Sequence, residues 1–397
     1  MSVFSRKLRP GPVVIFTLTL KLIKMKTKPT LTLTVISIVS ACVLVAALLL
    51  QSSCGGSGGH KTLSAADSLK GLKDFYKDYF LVGVAVAPNN LEGDEGELIK
   101  KNFNSLTAEN VMKPGLLQPE EGKWNWGPAD KIVEWAEANG LKMRGHTLCW
   151  HSQTGAWMFV DSLGNPASKE LALKRLEDHI KTVVSHYKGR IYAWDVLNEV
   201  ITDNDTAKSP YRMTPWLRLC GEEYISKIYQ WAHEADPDAI LVYNDYNTEN
   251  PGKRDRIYTM VKGLRDAGVP VHAIGIQAHD ELGTPTEENL RATLDKFSSL
   301  GVELHVTELD ISIYADRNDT IGIGFTPERE QKQMDLYKME FDVYRDYKDV
   351  ITGVTFWNVS DRRSWRDGRR GPQGKVYPLL FDENLKPKKA FWEVVKF

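Results

Sequence analysis

Acidic residues are missing from the first 66 positions of this chain, although aspartate and glutamate make up 52 of its 397 residues. Cysteine is scarce, with four in the whole sequence, at 42, 54, 149 and 220. That excludes a small scaffold held by disulfides. No CxxC or HExxH spacing occurs, so no metal site is expected, and nothing implies an organic cofactor. Beyond residue 66 there is no Pro/Ser-rich linker, no short-period repeat and no low-complexity stretch, which leaves one domain. Net positive charge is lacking too. The chain stands at −1, and the first 53 residues hold seven positive charges and no negative ones, so residues 54–397 carry −8. A nucleic-acid partner is therefore not expected.

The acid-free stretch has a pattern of its own. Arg6, Lys7, Arg9, Lys21, Lys24, Lys26 and Lys28 precede an uncharged run from Leu31 to Leu50. A basic start, an apolar core and then small residues make an export signal. A start at Met25 gives its compact form and a start at Met1 a longer one. The run closes on Gln51-Ser52-Ser53-Cys54, followed by glycine and serine through Gly59. A run of this length can also span a bilayer. Cys54 after small residues, however, resembles the lipid-attachment site of a bacterial lipoprotein, with a flexible tether behind it. The expectation is a leader over 1–53, lipid on Cys54, a tether over 54–66 and a folded domain over 67–397. Such a protein is exported and anchored to the cell envelope through Cys54. Cys149 and Cys220 sit in apolar contexts and read as buried free thiols, although sequence leaves a bridge between them open.

The remaining length suits an α/β barrel. Strand-like runs cover Phe80–Val86, Phe103–Ala108, Lys142–Leu148, Ile191–Leu197, Ala239–Asn244, Ala273–Ala278, Glu303–Thr307 and Ile351–Trp357. Helical patterns fall between them, at Ala129–Ala138, Lys169–Tyr187, Glu222–Ala235, Arg254–Ala267, Glu287–Leu300 and Pro327–Tyr347. Alternating strands and helices predict parallel β/α units. An open doubly wound sheet competes with a closed single (β/α)8 barrel. Nearly every run ends in polar residues: Glu109-Asn110, His146, Asn198-Glu199, Asp245-Tyr246-Asn247, Gln277 and His279, Glu308 and Asp310, and Trp357 through Asp361. A barrel gathers strand ends into one bowl, where an open sheet scatters them along a ridge. The barrel is the expectation.

Glu199 and Glu308 each close a short apolar run, where a carboxylate is costly unless it is paired or used. One reading is structural, two acids in ion pairs with buried arginines. The other is chemical, because two facing carboxylates are the basic equipment for cutting a glycosidic bond. Trp194-Asp-Val-Leu-Asn198-Glu199, with Gly145-His146-Thr-Leu-Cys-Trp150-His151-Ser-Gln153 before it and Thr307-Glu308-Leu-Asp310 after it, resembles glycoside hydrolase family 10. The likeness runs from Leu81 to Trp392.

The resemblance implies a retaining endo-1,4-β-xylanase, monomeric in its catalytic domain, with xylan and xylo-oligosaccharides as partners. It implies Glu199 as general acid/base and Glu308 as nucleophile. It places Glu109, Asn110 and Lys113 at the −2 sugar, and His146, Trp150 and Gln153 around the −1 sugar. Asn198 falls beside the sugar 2-hydroxyl and Tyr246 and Asn247 on the +1 side. Gln277 and His279 line the cleft, and Trp357 and Trp365 form an aromatic lid. Asp195 and Asp310 orient their neighbours. The chain departs from the family pattern at Cys149, at Thr154–Trp157 and at Asn358, where glycine is common. Alternatives are a β-glycanase that accepts cellulose-type chains and a glycan-binding lipoprotein without activity.

Overall fold

Among the described residues of the computed structural model the strands run β1 Leu81–Val86, β2 Ser105–Ala108, β3 Lys142–Cys149, β4 Ile191–Asn198, β5 Ile240–Asp245, β6 Ala273–Ile276, β7 His279–Glu281, β8 Glu303–Ser312 and β9 Ile351–Phe356. The structure describes residues 67–316, 319, 324–368 and 374–397. The leader over 1–53, Cys54 and the rest of the tether over 54–66 thus lie outside the described residues. Each of β1 to β5 pairs in parallel with the next; β6 then pairs with β8, β8 with β9, and β9 returns to β1. That closure makes an eight-stranded (β/α)8 barrel and rules out the open sheet. The short β7 adds on outside the ring, pairing with the end of β8.

The helices lie close to where the periodicity places them: Gly127–Ala138, Lys169–His186, Glu223–Ala235, Pro251–Asp266, Glu287–Ser298 and Pro327–Asp346. Side chains of Ser168, Asn250, Thr286 and Thr326 cap four of these starts by accepting from the first turn. Capping satisfies amides that the helix leaves open, and Pro251 and Pro327 suit the first helical position. A further helix, Gly93–Asn102, has only two apolar residues, the adjacent Leu98 and Ile99, so no apolar period marks it in the sequence.

Strand pleating divides the barrel into two environments. Val82, Val84, Leu106, Met143, Trp194, Val196, Leu241, Tyr243, Ile274, Ile276, Leu304, Val306, Val354 and Phe356 join the main core shared with the helices. The alternate positions face the barrel axis. At one level Ala193, Val242 and Ala273 make a small separate cluster there. One step further along the same strands the inward residues become Asp195, Asn244 and Gly275, flanked by Arg144 on β3 and Thr307 on β8. Arg144 is buried and donates through both terminal nitrogens to Asp195. The axis thus changes from apolar to polar toward the carboxyl ends of the strands.

Two strands end two or more residues away from their expected C-terminal ends. The sixth strand stops at Ile276 rather than Ala278, because Ala278 turns to a φ of 55°. The seventh barrel strand runs on past Thr307 to Ser312, since β7 and the Val376–Pro378 segment supply partners for its last residues. Cys149 and Cys220 are buried and unbridged.

Candidate active site

The two glutamates reach the bowl because the register breaks just before them. Between Asp195 and Leu197, β4 gains one residue on β5, and between Val306 and Leu309, β8 gains one on β9. Strict alternation from inward-facing Asp195 and Thr307 would turn Asn198 and Glu308 toward the helices. An extra residue reverses that facing, the usual effect of a β-bulge beside a functional site. A third such shift on β3, between His146 and Cys149, precedes Trp150. Glu199, Gln153, Asn247, Ala278 and Asn358 adopt left-handed φ values of 59°, 45°, 51°, 55° and 112°. Such conformations cost about 1–3 kcal/mol each and persist where the surroundings over-determine them. Here they turn the chain at the mouths of five strands.

The strand ends surround an open cleft of about 1650 Å³. Its walls include Glu109, Asn110, Lys113, His146, Trp150, Gln153, Asn198, Glu199, Tyr246, Asn247, Gln277, His279, Glu308, Trp357 and Trp365. All the cleft residues expected from sequence therefore come together. Asp195 and Asp310 lie beneath them, fully buried. The structural reading of the glutamates fails on its own terms. Among the described residues neither is in an ion pair with an arginine, and the buried Arg144 is engaged by Asp195.

A relay of three amides joins the two carboxylates. Gln277 Nε2 donates to Glu199 Oε1 at 3.1 Å and, more weakly, to Asn198 Oδ1 at 3.4 Å. Asn244 Nδ2 donates to Asn198 Oδ1 at 2.9 Å and to Glu308 Oε1 at 2.8 Å. Thr307 Oγ1 fixes the Asn244 amide by donating to its Oδ1 at 2.6 Å. Gly275 makes room for it: a Cβ there would lie 2.3 Å from that oxygen.

The glutamates differ in their other partners. Trp150 Nε1 donates to Glu199 Oε2 at 2.9 Å, so among the described residues only neutral donors hold this half-buried carboxylate. Glu308 is buried, and its Oε2 lies 3.1 Å from His279 Nε2. His279 Nδ1 lies 3.0 Å from Asp310 Oδ2. Burial opposes charge on His279, but the Asp310 carboxylate and its hydrogen bond, then Glu308, outweigh it and push the imidazole up to about 9. Burial likewise raises Glu308, yet the hydrogen bond from His279 and the charges of His146 and His279 hold it below the usual carboxylate value. Asp310 is also kept low against burial, by His279 and Arg366. Glu308 thus sits at the end of a charged chain that favours its anion.

The aromatic residues are held in turn. Trp365 donates its indole N–H to Asp310 Oδ2 at 2.6 Å, and its ring lies 4.5 Å from the His279 ring. Trp357 is buried, with its ring 5.1 Å from that of His146. His146 reaches Asp195 through Nδ1 at 2.9 Å. Lys113 Nζ donates to Asn110 Oδ1 at 2.9 Å and lies 5.1 Å from the Trp150 ring centre. Asn358, strained at its φ of 112°, accepts from the Trp365 backbone N–H at 2.8 Å. The amide side chain thus secures the lid where glycine could not. His151 lines no part of the main cleft.

Two residues of the network escaped the sequence reading. Asn244 is an amide at an inward position of an apolar strand, and that mismatch was its signal. Arg366 donates to Asp310 Oδ1 at 2.8 Å and to Glu281 at 3.0 Å, from a loop with no local pattern.

Among the described residues no group of three or more His, Cys, Asp and Glu side chains is placed to hold a metal ion. A β/α barrel with two carboxylates across an open cleft lined by indoles, amides and imidazoles defines a glycosidase. The chain belongs to glycosyl hydrolase family 10, whose model matches residues 71–397. It is 50% identical over 327 residues to a β-1,4-xylanase of Dictyoglomus thermophilum, covering 82% of this chain and 90% of that one. The crystal structure of xylanase XynB from Paenibacillus barcinonensis, complexed with a conduramine derivative, superposes with a TM-score of 0.79 at 45% identity, over 82% of this chain and 98% of that chain. A mutant enzyme crystallised with xylotriose gives the same TM-score of 0.79 at 39% identity, over 82% of this chain and 99% of that one.

Proposed function

We propose that this chain is an endo-1,4-β-xylanase that cuts internal β-1,4-xylosidic bonds with retention, Glu308 serving as nucleophile and Glu199 as general acid/base. The observation that carries this reading is the contrast between two linked carboxylates. Glu308 is buried and held as an anion by His279, while Glu199 stands at the open side and accepts from the neutral donors Trp150 and Gln277. The xylanase relatives supply the substrate class.

In the first step Glu308 attacks the anomeric carbon while Glu199 gives a proton to the departing glycosidic oxygen. In the second, Glu199 takes a proton from water, which attacks the glycosyl–Glu308 ester and releases the sugar with its original configuration. This route needs the carboxyls about 5–5.5 Å apart. Asn198, on the relay between them, is placed to bond the sugar 2-hydroxyl, a contact that strengthens in the transition state. Glu109, Asn110 and Lys113 hold the −2 sugar; His146, Trp150 and Gln153 the −1 sugar; Tyr246 and Asn247 the +1 sugar. Trp357 and Trp365 cover the glycone side. A reducing-sugar assay tests the reading. Release from xylan far above that from cellulose-type chains supports it. Equal release from both shifts the substrate class, and none from either leaves only glycan binding.

The same reading extends to the N-terminal segment, on the strength of its residue pattern. Residues 1–53 act as an export leader, Cys54 carries a lipid, and residues 54–66 tether the enzyme to the cell envelope. Cys54→Ala should abolish incorporation of labelled fatty acid. Equal labelling of variant and parent refutes lipid attachment at this residue.

A further inference from the structure

The loop after β4 leaves the barrel at Glu199 and returns to it at Arg212. Its two arms pair as a hairpin. Ile201 and Tyr211 form an antiparallel bridge, Thr202 N donates to Pro210 O at 2.9 Å, and Arg212 N donates to Val200 O at 2.7 Å. That return brings the Arg212 guanidinium to the backbone of Glu199. Its Nε donates to the Glu199 carbonyl at 3.2 Å, the peptide group of a residue held at a φ of 59°. On the other side the Glu199 N–H is fixed by Asn244 O at 2.9 Å.

The far end of the same guanidinium serves a different group. Arg212 Nη2 donates to Tyr246 Oη at 2.7 Å and to Asp203 Oδ2 at 2.9 Å. Asp203 also accepts from Lys253 Nζ at 2.7 Å, and that ammonium lies 3.6 Å from the centre of the Tyr246 ring. Burial raises Asp203, but bonds from Lys253, Tyr246 and Arg212 hold it down at about 2. The tyrosine that faces the leaving sugar is thus locked on its edge by Arg212 and Asp203 and on its face by Lys253. Arg212 is absent from the walls of the cleft.

We propose that Arg212 is a positioning residue for leaving-group departure: one guanidinium sets both the backbone that aims the acid Glu199 and the aromatic platform Tyr246 under the leaving sugar. This rests on the reading of Glu199 as the acid. A planar fork with donors on both edges can hold both groups at once, which an ammonium cannot. The arrangement ties the position of the sugar oxygen to the position of the proton it receives. Misplacement on the ångström scale costs on the order of 10²-fold in rate.

The test compares kcat/KM on two substrates, a xylo-oligosaccharide and a 2,4-dinitrophenyl β-xylobioside. The first has a leaving group that needs a proton, and the second has one that departs without it. Arg212→Met leaves Asp203 paired with Lys253, so no bare charge is created. We expect its kcat/KM to fall on the order of 10- to 100-fold on the oligosaccharide and to change little on the aryl substrate. Arg212→Lys should recover part of the loss, and it carries the same comparison if the methionine variant does not fold. Equal losses on both substrates, or none on either, overturn the proposal. Glu199→Ala run alongside separates the two claims. If it too loses both substrates equally, the acid assignment fails; if it loses the oligosaccharide alone while the Arg212 variants do not, only the positioning role fails.

Discussion

Replacing Asp310 by asparagine is expected to move the acidic limb of the pH–rate profile upward. Asp310 carries three loads: it accepts from Trp365 and Arg366 and faces His279 Nδ1 at 3.0 Å. The rise of His279 from 6.5 to about 9 corresponds to about 3 kcal/mol in favour of the imidazolium, at roughly 1.4 kcal/mol per unit. The Asp310 carboxylate is the largest of the favourable causes. With asparagine there, His279 should fall back toward its ordinary value and be neutral near pH 7. Glu308 then loses a charge-assisted hydrogen bond and a nearby cation, both of which keep its pKa low. Its pKa should therefore rise. The acidic limb of kcat/KM reports the free enzyme's essential base, so it should rise by the same amount. The assay is kcat/KM between pH 3 and 8 on an aryl xylobioside, where protonation of the leaving group does not intervene. Stability gives a second arm. A histidine raised from 6.5 to about 9 stabilises the fold fully below pH 6.5, and that contribution is lost as pH climbs through about 9. Asp310→Asn should therefore lower Tm more at pH 6 than at pH 10. A folded variant whose acidic limb stays in place would refute the chain from Asp310 through His279 to Glu308.

Two further substitutions probe the frame around the site. Gly275→Ala puts a methyl group 2.3 Å from Asn244 Oδ1 and 3.0 Å from Thr307 Cγ2. It should displace the amide that links Asn198 to Glu308 and cut kcat on the order of 10²-fold, while xylo-oligosaccharide binding by calorimetry changes less; wild-type turnover would show that the relay is dispensable. Glu340→Gln addresses a buried carboxyl pair behind the cleft. Burial raises both Asp280 and Glu340, the Glu340 charge raises Asp280 further, and Glu340 is pushed up to about 8. A carboxyl raised from 4.5 to about 8 stabilises the fold below pH 4.5 and loses that contribution as pH rises through about 8. The glutamine variant should accordingly gain Tm relative to wild type at pH 8 to 9 and show no gain at pH 4; a gain of equal size at both would disprove the raised Glu340 carboxyl.

The sequence made the bowl legible because polar residues interrupt apolar runs at regular intervals. Glu199, Glu308, His279 and Trp357 could each be placed at a strand end from that pattern, and the family motifs gave them roles. Their facing was not legible. By alternation Glu308 follows Leu304 and Val306 toward the helices, and only the extra residue before Leu309 turns it inward. A bulge depends on the pairing with β9, some forty residues further along the chain, so no local pattern announces it. Asn244 was readable in principle, since an amide at an inward position of Ile240–Asp245 breaks the apolar rule. Arg212 and Arg366 were not. Each reaches its target from a loop whose path is set by tertiary contacts, and a lone arginine in a polar loop is ordinarily a solvated surface residue.

The central claim is that Glu308 forms a covalent bond to the substrate. A 2-deoxy-2-fluoro xylobioside with a dinitrophenolate leaving group tests it directly. The fluorine slows both steps by withdrawing electrons from the oxocarbenium-like transition state, and the good leaving group lets the first step proceed. Mass spectrometry of the inactivated enzyme should show one added fluoro-xylobiosyl unit, and fragmentation should place it on Glu308 within the peptide from Glu303 to Asp310. Label on Glu199 or Asp310, or hydrolysis of xylan with inverted configuration and no adduct, would contradict the account.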